Sequence, residues 1–269
     1  MKIDLKKDYV WSLVVPTSMG IRITPANGQP VHCSNMFHMQ ATSAETNVAS
    51  ISSYLGLSVK VLTTFVKDSP IARFIKDNLA SRHITYEGVE VEQGGPWGYR
   101  HQFNIADSGY GSRGPRVQND RAGEVGKTLN VNDFDLQRLF GKEGVQILHL
   151  SGLIAALSPE TSNFCLELAS AAKKYGTRVS FDLNYRATFW KNREKELARV
   201  MKAVQHGLDA GLQVNAGHGL NYINVLNVAS IQGLRGLYIG HSIISMAIFL
   251  GLERAVRKMK KLIKESEEI

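Results

Sequence analysis

From about residue 130 onward, short apolar runs alternate with longer amphipathic ones, and this alternation narrows the fold more than any other feature. Residues 145–150, 179–182, 212–214 and 237–239 have the length and apolar character of buried strands. Residues 159–174, 191–210 and 222–231, lying between them, carry helical periodicity. Strands joined by helical crossovers of this length build a parallel sheet covered by helices.

The first half reads differently. Thr42-Ser43-Ala44-Glu45 has the spacing of a capping box and opens a helix that ends near Gly56. Glu45 is then either a capping residue or a ligand group. A strand over 59–65 and a helix over 70–79 follow. Residues 84–92 and 99–105 read as extended, partly exposed strands flanking the Gly94-Gly95-Pro96 turn, and 109–114 as a glycine-rich loop.

At 269 residues and 43% hydrophobic content, the chain has enough apolar material for a substantial core. Two cysteines far apart, Cys33 and Cys165, make neither a disulfide framework nor a metal cluster, which fits a reducing cytoplasm. The charged start, residues 1–7, has no apolar signal-peptide core, and no run approaches the ~20 apolar residues of a membrane span. Much of the net charge of +8 sits in Arg254, Arg257, Lys258, Lys260, Lys261 and Lys264, on a long C-terminal helix opened by Ser242. Ile243, Ile244, Ala247, Ile248, Ala255, Val256, Met259 and Ile263 give that helix an apolar face expected to dock. Its cations are then a solvated face, so neither nucleic acid nor membrane is expected as a partner. Basic residues also suit a small anionic sugar or a phosphate. Homo-oligomerisation stays open.

Several blocks, in order, resemble the ribokinase-like carbohydrate kinases, especially the 2-keto-3-deoxygluconate kinase branch. They are Ala44-Glu45-Thr46-Asn47-Val48-Ala49, Asn119-Asp120-Arg121-Ala122-Gly123, His149-Leu150-Ser151-Gly152 and Phe181-Asp182-Leu183-Asn184-Tyr185-Arg186, supported by Leu157-Ser158-Pro159 and Trp190. The resemblance spans residues ~10 to ~195 and implies a sugar cleft under a small β lid at about 84–105. It further implies substrate contacts from Ser43, Asn47, Arg100, Arg121 and Arg186, with Arg121 and Arg186 gripping a sugar-acid carboxylate. Asn184, Tyr185 and Arg186 would face the nucleotide, ATP with Mg. Asp182 and Arg186 have a simpler alternative, pairing with each other. The chain departs from the family at Thr42-Ser43, where Gly-Gly is usual, and at Asn119, where an aromatic is usual. The largest departure is that no Gly-Ala-Gly-Asp block follows, so the resemblance supplies neither its catalytic Asp nor its glycine-rich helix start.

From about residue 205 the sequence resembles the end of pyridoxine 5′-phosphate synthase, a (β/α)8 barrel. Val214-Asn215-Ala216-Gly217-His218-Gly219-Leu220-Asn221-Tyr222, Asn224-Val225 and Ile239-Gly240-His241 carry this likeness. It implies a proton donor at His218 and phosphate contacts from Gly217, Gly219, Gly240 and His241, at loops that in barrels commonly hold phosphate. Ile223 and Ser245-Met246 depart from that family, and its earlier catalytic histidine and glutamate have no counterpart here.

Together these readings place a junction within 193–206, dividing a kinase-like region, 1–198, from a synthase-like tail, 199–269. The expected fold is a three-layer α/β parallel-sheet core (ribokinase-like, Rossmann-type) with a small β lid, completed by two βα units from a barrel. The two tail strands would extend the truncated sheet. Three functions compete: a kinase-like binder of an anionic sugar or phosphate without its base, an enzyme of pyridoxine phosphate synthesis, and a non-enzymatic fold chimera.

Overall fold

A computed structural model of the chain describes residues 5–107, 109, 114–182, 184, 205, 208–209, 213–217 and 219–266. It divides into two compact units, residues 1–183 and 184–269.

The first unit is built on five parallel strands: β1 (Trp11–Pro16), β4 (Val59–Val66), β5 (Thr85–Val91), β8 (Val145–Ser151) and β9 (Arg178–Asp182). Their order is β5-β4-β1-β8-β9. The period of two along β1 sorts its side chains into two cores. Leu13 and Val15 join Val61 and Phe65 beneath helices α1 (Ala44–Tyr54) and α2 (Pro70–Ser81). Val14 points the other way, with Leu62, Leu148 and Leu150, against α4 (Pro159–Lys174) and the π-helical segment Gln137–Glu143. A short helix α3 (Gly152–Ala155) precedes α4. All eight residues of β4 are buried, as expected of an inner strand covered on both faces.

Helix starts follow local chemistry. Ser69 and Ser158 accept from the backbone N–H groups of Ala72 and Thr161, each followed by proline at the first helical position. At α1 the cap is Ser43, bonded to Thr46 N at 2.9 Å, one residue later than the Thr42 start read from the sequence. The cause is Glu45, which turns inward and accepts from Thr17 Oγ1 at 2.7 Å instead of reaching back to the helix start.

The lid is a four-stranded sheet of β2 (Gly20–Pro25), β3 (Phe37–Thr42), β6 (Gln102–Asp107) and β7 (Arg116–Asp120), in the order β3-β2-β6-β7. This corrects the lid expected at 84–105. Residues 85–91 pair in parallel with β4 as an edge of the central sheet, Lys60 opposite Thr85 through Val66 opposite Val91, and only the second expected lid strand belongs to the lid. An edge strand with one face open has the same half-exposed pattern as a lid strand, so alternation alone does not separate them.

In the second unit, β10 (Val214–Gly217) and β11 (Leu234–Tyr238) pair in parallel, giving a two-stranded sheet of their own rather than the expected extension of the central sheet. Helix α5 (Val225–Ala229) connects them. The long C-terminal helix is two helices, α6 (His241–Leu250) and α7 (Leu252–Glu265), broken at Gly251. Its φ of 78° and ψ of 153° lie in a region open essentially to glycine alone. The break separates the expected apolar face. Ala255 and Met259 are buried, and Tyr222 Oη donates to Ala255 O at 2.8 Å, whereas Ile248 is 80% exposed. Ile248→Asp is therefore expected to change stability by less than about 0.5 kcal/mol, checked by chemical denaturation, rather than unfold the tail. Among the described residues no helix is long and apolar enough to cross a membrane.

Candidate functional site

In the first unit, polar side chains gather where β1 leaves the sheet. Thr17 and Ser18 follow β1 directly and both are buried. Thr17 meets Glu45, which is 2% exposed and whose second oxygen, Oε1, has no hydrogen-bond partner among the described residues. Ser18 Oγ donates to Glu124, which is fully buried. Burial pushes the Glu124 carboxyl above its ordinary range, while the Arg121 charge and the Ser18 hydroxyl oppose that shift.

Of the expected sugar-binding residues, Ser43, Asn47, Arg100 and Arg121 are among those described. Arg121 Nη1 lies 3.1 Å from both oxygens of Glu124, so its guanidinium is already held by a buried carboxylate. Arg100 donates to Asp120 and to Ala122 O, both at 2.7 Å. Ser43 is buried and occupied as the α1 cap, while Asn47 is exposed one turn along. Asn184 is buried with φ 46°, a conformation asparagine tolerates. Tyr185, Arg186 and His218 lie outside the described residues. So does most of the expected junction at 193–206.

A cleft of about 510 Å³ opens between Ile21 and Phe103 of the lid, Val66 at the end of β4 and Ser69 just after it, and Arg100 and Asp120. Beside it, His101 uses both ring nitrogens: Nδ1–H donates to Met19 O at 3.0 Å, and Nε2 accepts from Val66 N at 3.3 Å. This pattern needs the neutral ring. Burial, aided by Lys76 and opposed by the Met19 hydrogen bond, holds its pKa below the usual 6.5. The folded state therefore resists a proton that the unfolded chain takes up. This stability is fully present above pH ~6.5 and is lost as pH falls from there toward the folded-state value. The melting temperature is expected to drop between pH ~7 and ~5, and His101→Gln to flatten part of that slope.

The opposite lid face was not legible as a site. Gln40, Arg22, Asn104 and Asn119 form one row across all four strands. Gln102, next to that row, lies across Gly20, where an added Cβ would sit 2.0 Å from Gln102 Cγ. Gln102 Nε2 donates to Ser18 O at 3.0 Å, tying this face to the loop after β1. The available signal was Gln102 and Asn104 at strand period two, a pattern that equally describes a solvated face.

In the second unit, the register Gly217↔Tyr238 sets Gly219 and Gly240 each two residues beyond the last strand pair, at the same end of the sheet. Gly219 has φ 66°, and Gly240 is the N-cap of α6, with no side-chain cap on the helix. His241 begins α6 and is exposed, and Ser242 Oγ donates to Leu220 O at 2.9 Å, joining the two turns. The first N–H groups of an uncapped helix favour an anion.

Residues 161–265 match the sequence model of pyridoxal phosphate biosynthesis protein PdxJ. That match begins inside α4, ahead of the expected junction. A pyridoxine 5′-phosphate synthase of Thermodesulfovibrio yellowstonii is 61% identical over 72 residues, 27% of this chain and 30% of that protein. The Prochlorococcus marinus synthase is 40% identical over 155 residues, 55% of this chain and 60% of that protein. The chain thus spans less than two thirds of the synthases it matches. Among solved structures, a Thermotoga maritima 2-dehydro-3-deoxygluconokinase superposes with a TM-score of 0.63 at 21% identity, covering 77% of this chain and 58% of that one. A PfkB protein of a Polaromonas species also gives 0.63, at 20% identity, covering 94% and 74%. Residues 161–265 therefore carry PdxJ-type sequence, in a chain whose α/β fold is that of the PfkB, ribokinase-like carbohydrate kinases.

Proposed function

We propose that the chain is a chimera that recognises an anionic sugar or a phosphate through its kinase-like part and does not phosphorylate it. One observation carries the reading: a four-stranded lid and buried polar groups beside the β1 end stand in a sequence with no Gly-Ala-Gly-Asp block. Recognition needs the former. Phosphoryl transfer needs a base for the sugar hydroxyl and aligned N–H groups for the transferring phosphoryl. Glu45 and Glu124 are the buried carboxylates nearest this role, but Thr17 holds one, and Ser18 and Arg121 the other.

The purified chain is expected to show no ATP-dependent phosphorylation of 2-keto-3-deoxygluconate above background, measured with Mg present, while a sugar acid or phosphate raises its melting temperature. Turnover that survives further purification would overturn the catalytic half of the reading. A melt unmoved by every anion tried would overturn the recognition half.

The two glycine turns of the tail favour a second reading, in which the anion is a phosphate held by Gly217, Gly219, Gly240 and His241. Gly240→Val should then abolish stabilisation by phosphate, because close backbone approach is lost. If Arg186→Ala abolishes it instead, recognition belongs to the kinase-like part. Formation of pyridoxine phosphate would assign the synthase activity to this chain.

A further inference from the structure

In the second unit, α6 is an apolar helix left open. It has no acidic residue, lysine or arginine, and none of its ten residues is buried. Ile244 is more than half exposed, Ile248 80% and Phe249 82%. Leu250 and, just past the break at Gly251, Leu252 continue the exposed apolar surface, and Val256 shares the face of Leu252 one turn along α7. Single exposed aliphatic side chains are ordinary, but six along two consecutive helices mark an interaction surface. The same face of α7 then turns basic. Arg257, Lys260, Lys261 and Lys264 line one groove with Val256. With Arg254 and Lys258, six cations stand against Glu253 and Glu265 in this helix. Arg257 pairs with Glu253 and Lys261 with Glu265, on exposed surface where such pairs hold little. Arg254, Lys260 and Lys264 make no salt bridge among the described residues. Glu267 and Glu268 come only after all six cations in the sequence.

We infer that α6 and α7 dock on an anionic lipid bilayer surface, with Ile244, Ile248, Phe249 and Leu252 entering the acyl boundary and the α7 cations meeting lipid phosphates. The sequence-based expectation of no membrane partner assumed that this apolar face is covered within the protein, and the α6 part of it is not. Ten residues are about half the ~20 of a span, so α6 lies in the interface rather than crossing it. A nucleic acid would meet the cations and leave Ile248 and Phe249 in water. A second copy docking through the same patch would set two basic helices against each other. An anionic bilayer offers apolar depth to one helix and negative charge to the other. The inference is independent of what the first unit recognises.

Flotation of the full chain with phosphatidylcholine vesicles containing about a third phosphatidylglycerol, against pure phosphatidylcholine, tests this. The anionic vesicles are expected to bind at least about tenfold more tightly, and to lose most of that preference in about 0.5 M salt. Ile248→Asp should weaken binding to anionic vesicles by about tenfold or more while leaving the melt unchanged, since the side chain is exposed. Lys260→Glu combined with Lys261→Glu should weaken it at least as much. Equal binding to both vesicles, or binding to neither, overturns the inference. So does native affinity in Ile248→Asp with duplex DNA displacing the vesicles, which would give the basic face to nucleic acid. A dimer that Ile248→Asp dissociates, in a chain that leaves the vesicles unbound, would overturn it in favour of a second copy.

Discussion

Phe164→Ala is expected to lower the stability of the first unit by about 3–5 kcal/mol, enough to unfold a marginal domain. Phe164 is fully buried on α4, where it meets Phe134 with ring centroids 5.4 Å apart and belongs to the core with Leu148, Leu150 and Leu168. Truncation removes the transfer free energy of the ring and leaves a cavity that strands fixed by their ladder cannot collapse to fill. Urea denaturation should show a lower midpoint with an unchanged slope. Leu166, two residues along the same helix, is 64% exposed, so Leu166→Ala should cost well under about 1 kcal/mol. Similar losses from both would mean that α4 does not dock through the Phe164 face.

Lys60→Ala is expected to cost about 3 kcal/mol, the second largest effect. Lys60 opens the part of β4 that pairs with β5, and its side chain is only 5% exposed. Its ammonium lies 3.0 Å from Glu87, 3.1 Å from Glu143 and 4.4 Å from the centre of the Trp11 ring. Removing one member of a buried charge group leaves the others desolvated without compensation, which is why the loss exceeds that of a surface pair. Arg138 also pairs with Glu87 and Glu143, and these carboxylates are about a quarter exposed, so the effect belongs at the lower end of the range for buried pairs. A double-mutant cycle of Lys60→Met with Glu87→Gln should give a coupling of about 1 kcal/mol or more. Additive losses would show that Lys60 acts through packing of its stem over Trp11 alone.

The elements legible in the sequence are those specified by their own residues. Serine caps followed by proline opened α2 and α4, and their apolar faces matched the helical period. The β-branched and aromatic residues of 59–65 announced a strand, but with Lys60, Thr63 and Thr64 among them they did not announce that both its faces would be buried. Gly251 was visible too, yet a single glycine inside a helical pattern does not reveal that its φ will be 78° and divide the helix. Pairing partners were not legible. Residues 85–91 join the central sheet because the edge of β4 is open to them, a fact about β4 and not about their own alternation. The site shows the same division. Arg121 and Glu124 stand three residues apart in the sequence, but only the folded chain buries that glutamate and joins it to Ser18, 106 positions earlier. The row Gln40-Arg22-Asn104-Asn119 exists only in the register of four strands. Local sequence determined which segments form helices and strands, because caps and periodicity act over a few residues. Tertiary structure decided which polar groups are paired and which lack a partner among the described residues, because hydrogen-bond satisfaction depends on neighbours that chain distance does not encode.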